Sequence, residues 1–211
     1  MIKFLIISLG WEQENLFLKL KKYKHEIFAT YHTNKINVDL DFYEYCDPRD
    51  LSKLINICKK NNIKNFISDQ CDYSNYAVNF LRIFFNTHIF DFHQIQATSN
   101  KFLMRELCKS ESITQPRYQL CRSIHDINYS LNFIDYPILF KPLDNRGSTG
   151  VNVIKTKKNI QKKFYETLIH SNSKEVLLES YIEGKHVSVD SLIDDEGKPL
   201  ILGIGEKKHS D

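Results

Sequence analysis

The N-terminal part of the chain alternates short apolar runs with amphipathic segments, and this alternation restricts the fold more than any other feature. Lys3 to Ser8 is a continuous apolar run, typical of a strand buried on both faces of a sheet. Further strands are predicted at Glu26 to Tyr31 and at Asn65 to Ser68. Helices are predicted between them, at Glu12 to Tyr23 and after Asp50, which can cap a first turn. Strands that alternate with helices predict a parallel α/β sheet.

The remainder of the chain has a different pattern. A helix is predicted from Thr98 to Lys109, with Thr98 or Ser99 as its cap. After Pro116 short β-like segments predominate, interrupted by two helical stretches, which predicts a mostly antiparallel α+β arrangement. We therefore expect two domains, 1–96 and 97–211. The predicted strands of the second domain are Arg117 to Cys121, Pro137 to Lys141, Val151 to Lys155, Val176 to Tyr181, His186 to Ile193 and Leu200 to Ile204.

Charge, cysteines and hydropathy narrow the class of protein. The formal net charge is +3, too small to indicate a nucleic-acid partner on its own. The five cysteines are an odd number with no C-x-x-C pair, which favours reduced thiols and gives no metal-site pattern. The apolar run Ile2 to Leu9 is too short to span a bilayer and has no cleavage site after it. We expect a cytoplasmic protein without membrane or nucleic-acid partners.

A short glycine-bounded segment is the first sign of chemistry. Gly147-Ser148-Thr149-Gly150, here called the glycine loop, uses two of only seven glycines and joins two predicted strands. Such a loop can point successive N–H groups at phosphate oxygens, and Lys141 and Arg146 could add positive charge. The alternative is an ordinary hairpin turn beside solvated basic residues, and the glycines alone slightly favour that alternative.

Other nucleotide-binding motifs are missing. The sequence contains no G-x-x-x-x-G-K-[ST] segment and no protein-kinase motif set. The first predicted strand is followed by Gly10 alone, so the dinucleotide fingerprint G-x-G-x-x-G is also missing. If ATP binds, another scaffold must hold it.

Three segments in order resemble the ATP-grasp superfamily, which includes carboxylate–amine and thiol ligases and carbamoyl-phosphate synthase- and biotin carboxylase-like enzymes. Phe140 to Val151 (FKPLDNRGSTGV) resembles its phosphate loop, Leu177 to Asp190 (LLESYIEGKHVSVD) resembles its adenine-binding strand, and Asn100-Lys101 opens the preceding helix. The resemblance covers 97–211 clearly. It extends to 1–96, which resembles the family's preceding Rossmann-like domain, including the Asp69-Gln70-Cys71-Asp72 loop.

The resemblance implies an ATP site and a role for each matching residue. Lys101 and Lys141 would meet the α-phosphate, although two surface lysines are the alternative that composition alone favours. Backbone N–H groups of the glycine loop would hold the β- and γ-phosphates, and the backbone of Tyr181 and Ile182 would contact the adenine edge. Glu179 would accept from the adenine amino group, although a surface carboxylate on an edge strand is the alternative. His186 stands where many relatives carry an acidic residue that contacts the ribose hydroxyls. Histidine can also hydrogen-bond a hydroxyl, so His186 is a predicted ribose contact, and a strand histidine without a ligand is nearly as good an interpretation. The implied site comprises Lys101, Lys141, Arg146, Gly147, Ser148, Thr149, Gly150, Glu179, Ser180, Tyr181, Ile182 and His186.

The position of Lys141 in the sequence indicates a functional charge independently of the family resemblance. It ends the apolar segment Ile138 to Phe140, where a charge would need a partner to offset desolvation.

The resemblance also implies Mg²⁺, which relatives bind through carboxylates of a C-terminal lobe. Glu206 lies on the last predicted strand, but one carboxylate cannot hold two ions, and the sequence ends at Asp211. We therefore expect the Mg²⁺ ligands outside this sequence, with a truncated form, a gene fragment or a partner chain that supplies the remainder as the alternatives. The expected partners are ATP, a small-molecule carboxylate and an amine, with a homodimer or a partner chain as further possibilities.

A complete relative would form an acylphosphate from a carboxylate and ATP and join it to an amine. A non-catalytic nucleotide-binding fragment or subunit is the second hypothesis. A Rossmann-like sugar or dinucleotide binder is the third, and the missing glycine fingerprint speaks against it.

Overall fold

The computed structural model describes residues 1–33, 35–69, 71–87, 91–145, 147–194 and 196–207. These residues form three sheets, two of four strands and one of two strands. Of the residues singled out from the sequence, Gln70 and Arg146 lie outside the described residues.

The first sheet is parallel, which confirms the predicted α/β class. Its strands are β1 (Lys3–Ile6), β2 (Glu26–Tyr31), β3 (Tyr43–Tyr45) and β4 (Asn65–Ile67), in the spatial order β3-β2-β1-β4. Three of these strands match the sequence prediction. The strand β3 was missed because it has only three residues, two of them exposed, and so shows no apolar run.

Helices follow the strands of this sheet as expected for a parallel arrangement. They are α1 (Glu14–Lys22), α2 (Leu51–Asn61), α3 (Asp72–Phe84) and the short α4 (Phe92–Ala97). The Asp50 side chain accepts from the Lys53 N–H at 3.0 Å, which confirms the predicted cap of α2. Leu54 and Cys58 of α2 are fully buried and join the core formed with β1 and α3.

The second sheet is antiparallel. Its strands are β5 (Tyr118–Cys121), β6 (Ile138–Pro142), β7 (Asn152–Ile154) and β8 (Val176–Ser180), in the order β5-β8-β6-β7. The helices of this part are α5 (Lys101–Ser110), α6 (Ile124–Ser130) and α7 (Ile160–Leu168). The sheet order places β8 between two neighbours, so the edge-strand interpretation of Glu179 is wrong.

The two faces of the second sheet have different environments. Ile138, Phe140 and Leu178 point to a core closed by α6 and α7, where Phe164 contacts Phe140 at 6.1 Å between ring centroids. The opposite face carries Leu139 and Lys141, which are only partly buried. This alternation follows from the two-residue period of a strand, and it leaves one face available for a site.

The start of α5 differs from the prediction. Asn100, not Thr98 or Ser99, is the N-cap, and its side chain accepts from the N–H groups of Phe102 and Leu103, both at 3.0 Å. Thr98 and Ser99 belong to the turn that ends α4, where their hydroxyls donate to carbonyls three residues earlier. The helix therefore begins at Lys101.

The last two strands form a hairpin that stands apart from the other sheets. β9 (His186–Ile193) and β10 (Pro199–Lys207) pair antiparallel, with an irregularity between Ile201 and Gly203. Apolar side chains of both strands are more than half exposed: Val187, Val189, Leu192, Ile193, Leu200, Ile201, Leu202 and Ile204.

The cysteines are free thiols, and four of the five are buried. Burial raises the pKa of Cys58 and of Cys121 to about 12, so these thiols remain protonated at neutral pH. Among the described residues, no helix is long and apolar enough to cross a membrane.

Leu54→Ala should lower the free energy of unfolding by about 2–5 kcal/mol, because Leu54 is 0% exposed and its loss leaves a cavity. Leu18→Ala is the matched control, since Leu18 lies on another helix and is 52% exposed. Its expected effect is within about 0.5 kcal/mol. Urea unfolding followed by circular dichroism measures both, and equal effects would contradict the assignment of the core.

Candidate nucleotide-binding site

Three charged side chains meet on the partly buried face of the second sheet. Leu139 lies opposite Glu179 in the pairing of β6 with β8, so Lys141, two residues further on, is on the same face. The Lys141 Nζ lies 2.5 Å from Oε2 of Glu179. The Arg105 Nε, from α5, donates to Oε1 of the same carboxylate at 2.6 Å. These three residues are here called the charge cluster.

Glu179 is only 2% exposed, so its carboxylate is almost completely removed from water. Two cations, one on each oxygen, offset the desolvation that such burial costs. Lys141 therefore has the partner that its position at the end of an apolar segment required. Arg105 was missed from the sequence, although it lies four residues after Lys101 on the same helix face, a spacing that brings side chains together.

Lys101 supplies a third cation near the cluster. Its Nζ donates to the backbone carbonyls of Leu143, at 3.4 Å, and Asn145, at 2.5 Å. Burial lowers the pKa of Lys101, and the positive charge of Lys141 lowers it further, while Asp72, Asp144 and Glu179 raise it. A desolvated ammonium held this way is a suitable partner for an anionic ligand.

The glycine loop has the backbone conformation that its glycines permit. Gly147, Ser148 and Gly150 have positive φ angles of 64°, 58° and 76°. The Val151 N–H donates to the Ser148 carbonyl at 3.1 Å and closes the turn. Gly150 also needs its small size, since an added Cβ would lie 2.7 Å from Cβ of His170.

Asp144 anchors the segment that leads into the glycine loop. Its carboxylate accepts from the Ser171 hydroxyl at 3.0 Å and from the N–H groups of Asn172 and Ser173, both at 2.9 Å. The backbone carbonyl of Asp144 accepts from the hydroxyl of Tyr73, which belongs to α3 beside the first sheet. The segment is thus held from both sides.

Two adjoining clefts lie around these groups. One, of about 380 Å³, extends from Asp72 and Lys101 to the glycine loop. The other, of about 620 Å³, extends from Arg105 and Glu179 to the hairpin. Both are lined by Lys141, Ser148 and Val151, so the two clefts adjoin, and together they are here called the groove.

Most residues expected at the site line this groove. The first cleft contains Lys101, Lys141, Gly147, Ser148 and Thr149. The second contains Lys141, Ser148, Glu179, Ser180, Tyr181, Ile182 and His186.

Three expected site residues, Gly150, Tyr181 and Arg146, differ from the others. Gly150 completes the turn of the glycine loop and packs against His170. The Tyr181 N–H donates to the Pro137 carbonyl at 3.0 Å, and a contact of the Tyr181 backbone with the adenine edge stays a prediction. Arg146 lies outside the described residues.

The described residues offer no set of ligands for a protein-held pair of Mg²⁺ ions. Within the described ranges, no group of three or more His, Cys, Asp and Glu side chains lies together. The carboxylates of Glu179 and Asp144 are already occupied by cations and by hydrogen-bond donors, and Glu206 lies 3.6 Å from Lys185. The positive lysines and backbone N–H groups instead suit a phosphate chain.

Comparison with known proteins agrees with this assignment. Residues 134–211 match the family model of the ATP-grasp domain. The large chain of carbamoyl phosphate synthase from Clostridium acetobutylicum is 29% identical over 115 residues, which are 54% of this chain and 11% of that protein. The similarity to the ATP-grasp domain family therefore covers residues 134–211.

Solved structures show that the fold is that of ATP-grasp proteins. N5-carboxyaminoimidazole ribonucleotide synthetase in complex with ADP superposes with a TM-score of 0.77 at 15% identity, covering 100% of this chain and 55% of that one. The L-amino acid ligase from Bacillus licheniformis superposes with a TM-score of 0.78 at 13% identity, and the match covers 100% of this chain and 51% of that one. A third structure is the biotin carboxylase domain of the Hydrogenobacter thermophilus 2-oxoglutarate carboxylase, a dimer in complex with MgADP, ADP and bicarbonate. It superposes with a TM-score of 0.76 at 15% identity, and the match covers 97% of this chain and 49% of that one. The chain therefore spans about half the length of these structures.

Gly150→Ala should destabilise the protein more than Gly147→Ala. Both substitutions place a Cβ on a residue with positive φ, which costs about 1–2 kcal/mol. A Cβ at Gly147 meets nothing within 4 Å, whereas one at Gly150 collides with the His170 side chain. Thermal unfolding of the two variants measures the difference. Equal melting temperatures would contradict the close packing of the glycine loop on His170.

Proposed function

We propose that this chain binds ATP in the groove between the glycine loop and β8, as part of a carboxylate–amine ligase. The observation that carries the proposal is the buried Glu179 carboxylate with Lys141 beneath the glycine loop, in a chain whose residues 134–211 match the ATP-grasp domain. We also propose that 1–96 form the preceding domain and 97–211 part of the ATP-grasp domain. The five separate cysteines support a cytoplasmic location.

The proposed binding mode uses the two clefts for the two ends of the nucleotide. The adenine would lie in the larger cleft, where Leu139, Val153 and Ile182 supply apolar surface. Glu179 would accept from the adenine amino group through the remaining lone pairs of its oxygens, and the Ile182 backbone would face the ring edge. His186, at the same cleft, would contact the ribose hydroxyls.

The phosphates would extend into the smaller cleft. Lys141, which lines both clefts, would meet the α-phosphate together with Lys101. The N–H groups of Ser148, Thr149 and Gly150 would hold the β- and γ-phosphates, as successive amides in a tight turn do for anions. Arg146 is a further proposed contact of the phosphates.

The proposed reaction has two steps. A substrate carboxylate oxygen attacks the γ-phosphorus, the bond to the β-phosphate oxygen breaks, and an acylphosphate and ADP result. An amine nitrogen then attacks the acyl carbon, phosphate leaves, and the amine loses a proton. In both steps lysines and amide donors stabilise negative charge that develops on phosphoryl oxygens. Magnesium is expected with ATP, and no described residue is assigned to it.

Lys141→Ala should weaken ATP binding about 10- to 100-fold, since a hydrogen bond to a charged group contributes roughly 1.5–3 kcal/mol. Isothermal titration calorimetry measures the Kd. Lys158→Ala is the matched control because Lys158 is an exposed lysine between β7 and α7 that lines neither cleft, and this variant should bind ATP as the unaltered chain does. Equal affinity of Lys141→Ala and the unaltered chain would contradict the site.

Trapping with hydroxylamine tests whether the chain activates a carboxylate. The chain is incubated with ATP, Mg²⁺, hydroxylamine and a panel of amino acids and other carboxylates. An acylphosphate should be trapped as a hydroxamate, with ADP released in proportion. ATP binding without carboxylate-dependent ADP release would instead support the second hypothesis, a nucleotide-binding fragment or subunit without turnover.

A further inference from the structure

The charge cluster contains more positive than negative charge. Arg105 and Lys141 each carry one positive charge, and Glu179 is the carboxylate that both contact. A Glu179–Lys141 pair alone would be neutral, whereas the cluster with Arg105 carries a net charge of +1. The guanidinium keeps this charge at every accessible pH.

The position of the cluster directs this charge toward the groove. Arg105, Lys141 and Glu179 all line the larger cleft, and Lys141 also lines the smaller one. Glu179 is 2% exposed, while the side chains of Arg105 and Lys141 are 18% and 24% exposed. The negative charge is thus more deeply buried than the two positive ones, and at this depth solvent screens the cations only in part.

We propose that Arg105 is a positioning residue that sets the charge of the nucleotide site. By balancing the charge of Glu179, Arg105 leaves a net positive charge beside Lys141 for a polyphosphate, and it holds the carboxylate in place for the adenine amino group. The inference rests on the proposed ATP site, and it adds a residue that the sequence motifs did not indicate.

Variants that change the cluster charge stepwise test this role. Arg105→Gln reduces the charge from +1 to 0, so its Kd for ATP should rise about 10- to 100-fold by loss of Coulombic attraction. Arg105→Lys keeps the charge and should stay within about threefold of the unaltered chain. Lys109→Gln is the matched control, since it removes one charge from an exposed position of the same helix and should leave the Kd unchanged.

The double variant separates charge from packing. In Arg105→Gln/Glu179→Gln the cluster again carries +1, from Lys141, so ATP should bind more tightly than to Arg105→Gln alone. If Arg105 served only to hold α5 against the sheet, the second substitution would weaken binding further or leave it unchanged. A double-mutant cycle with Glu179→Gln measures this difference.

Calorimetry at a temperature at which circular dichroism shows every variant folded gives three distinguishable outcomes. An unaltered chain that does not bind ATP overturns the proposed function and the inference together. ATP binding that is equal in the unaltered chain and Arg105→Gln overturns the inference alone. Weak binding by Arg105→Gln that the second substitution restores supports both.

Discussion

Burial of a carboxylate between β-strands requires compensating charge, and Glu179 receives it from two elements at once. Lys141 comes from the neighbouring strand and Arg105 from α5, which packs over the same face of the sheet. Removal of either cation would leave the carboxylate with less compensation, so sheet and helix are joined through one buried group. Because α5 also begins with Lys101, whose ammonium contacts the carbonyls of Leu143 and Asn145, the same helix positions the approach to the glycine loop.

Much of the fold was predictable because burial leaves a periodic pattern in the sequence. The continuous apolar run of β1 and the alternation of further strands with helices indicated a parallel α/β unit without further information. The strand β3 and the helix α4 are too short to show a period. The order β5-β8-β6-β7 was not predictable, since strand pairing depends on contacts between distant segments, and this order decided that Glu179 is internal.

The candidate site was predictable where a residue conflicts with its surroundings. A lysine at the end of an apolar strand needs a counter-charge, and that requirement identified Lys141. Arg105 showed no such conflict, because an arginine on an amphipathic helix is ordinarily solvated. The cap of α5 was misassigned for a related reason. Thr98, Ser99 and Asn100 are consecutive residues that can all cap a helix, and only the backbone path shows which one does.

The hydrogen bond from Tyr73 to the Asp144 carbonyl has a thermodynamic consequence. Tyr73 belongs to α3 beside the first sheet, while Asp144 leads into the glycine loop. A ligand that displaces the start of α3 must therefore strain or break this bond, and a ligand that orders the loop must favour it. The bond joins α3, beside the first sheet, to the segment that leads into the glycine loop, so a shift of either one is resisted by the other.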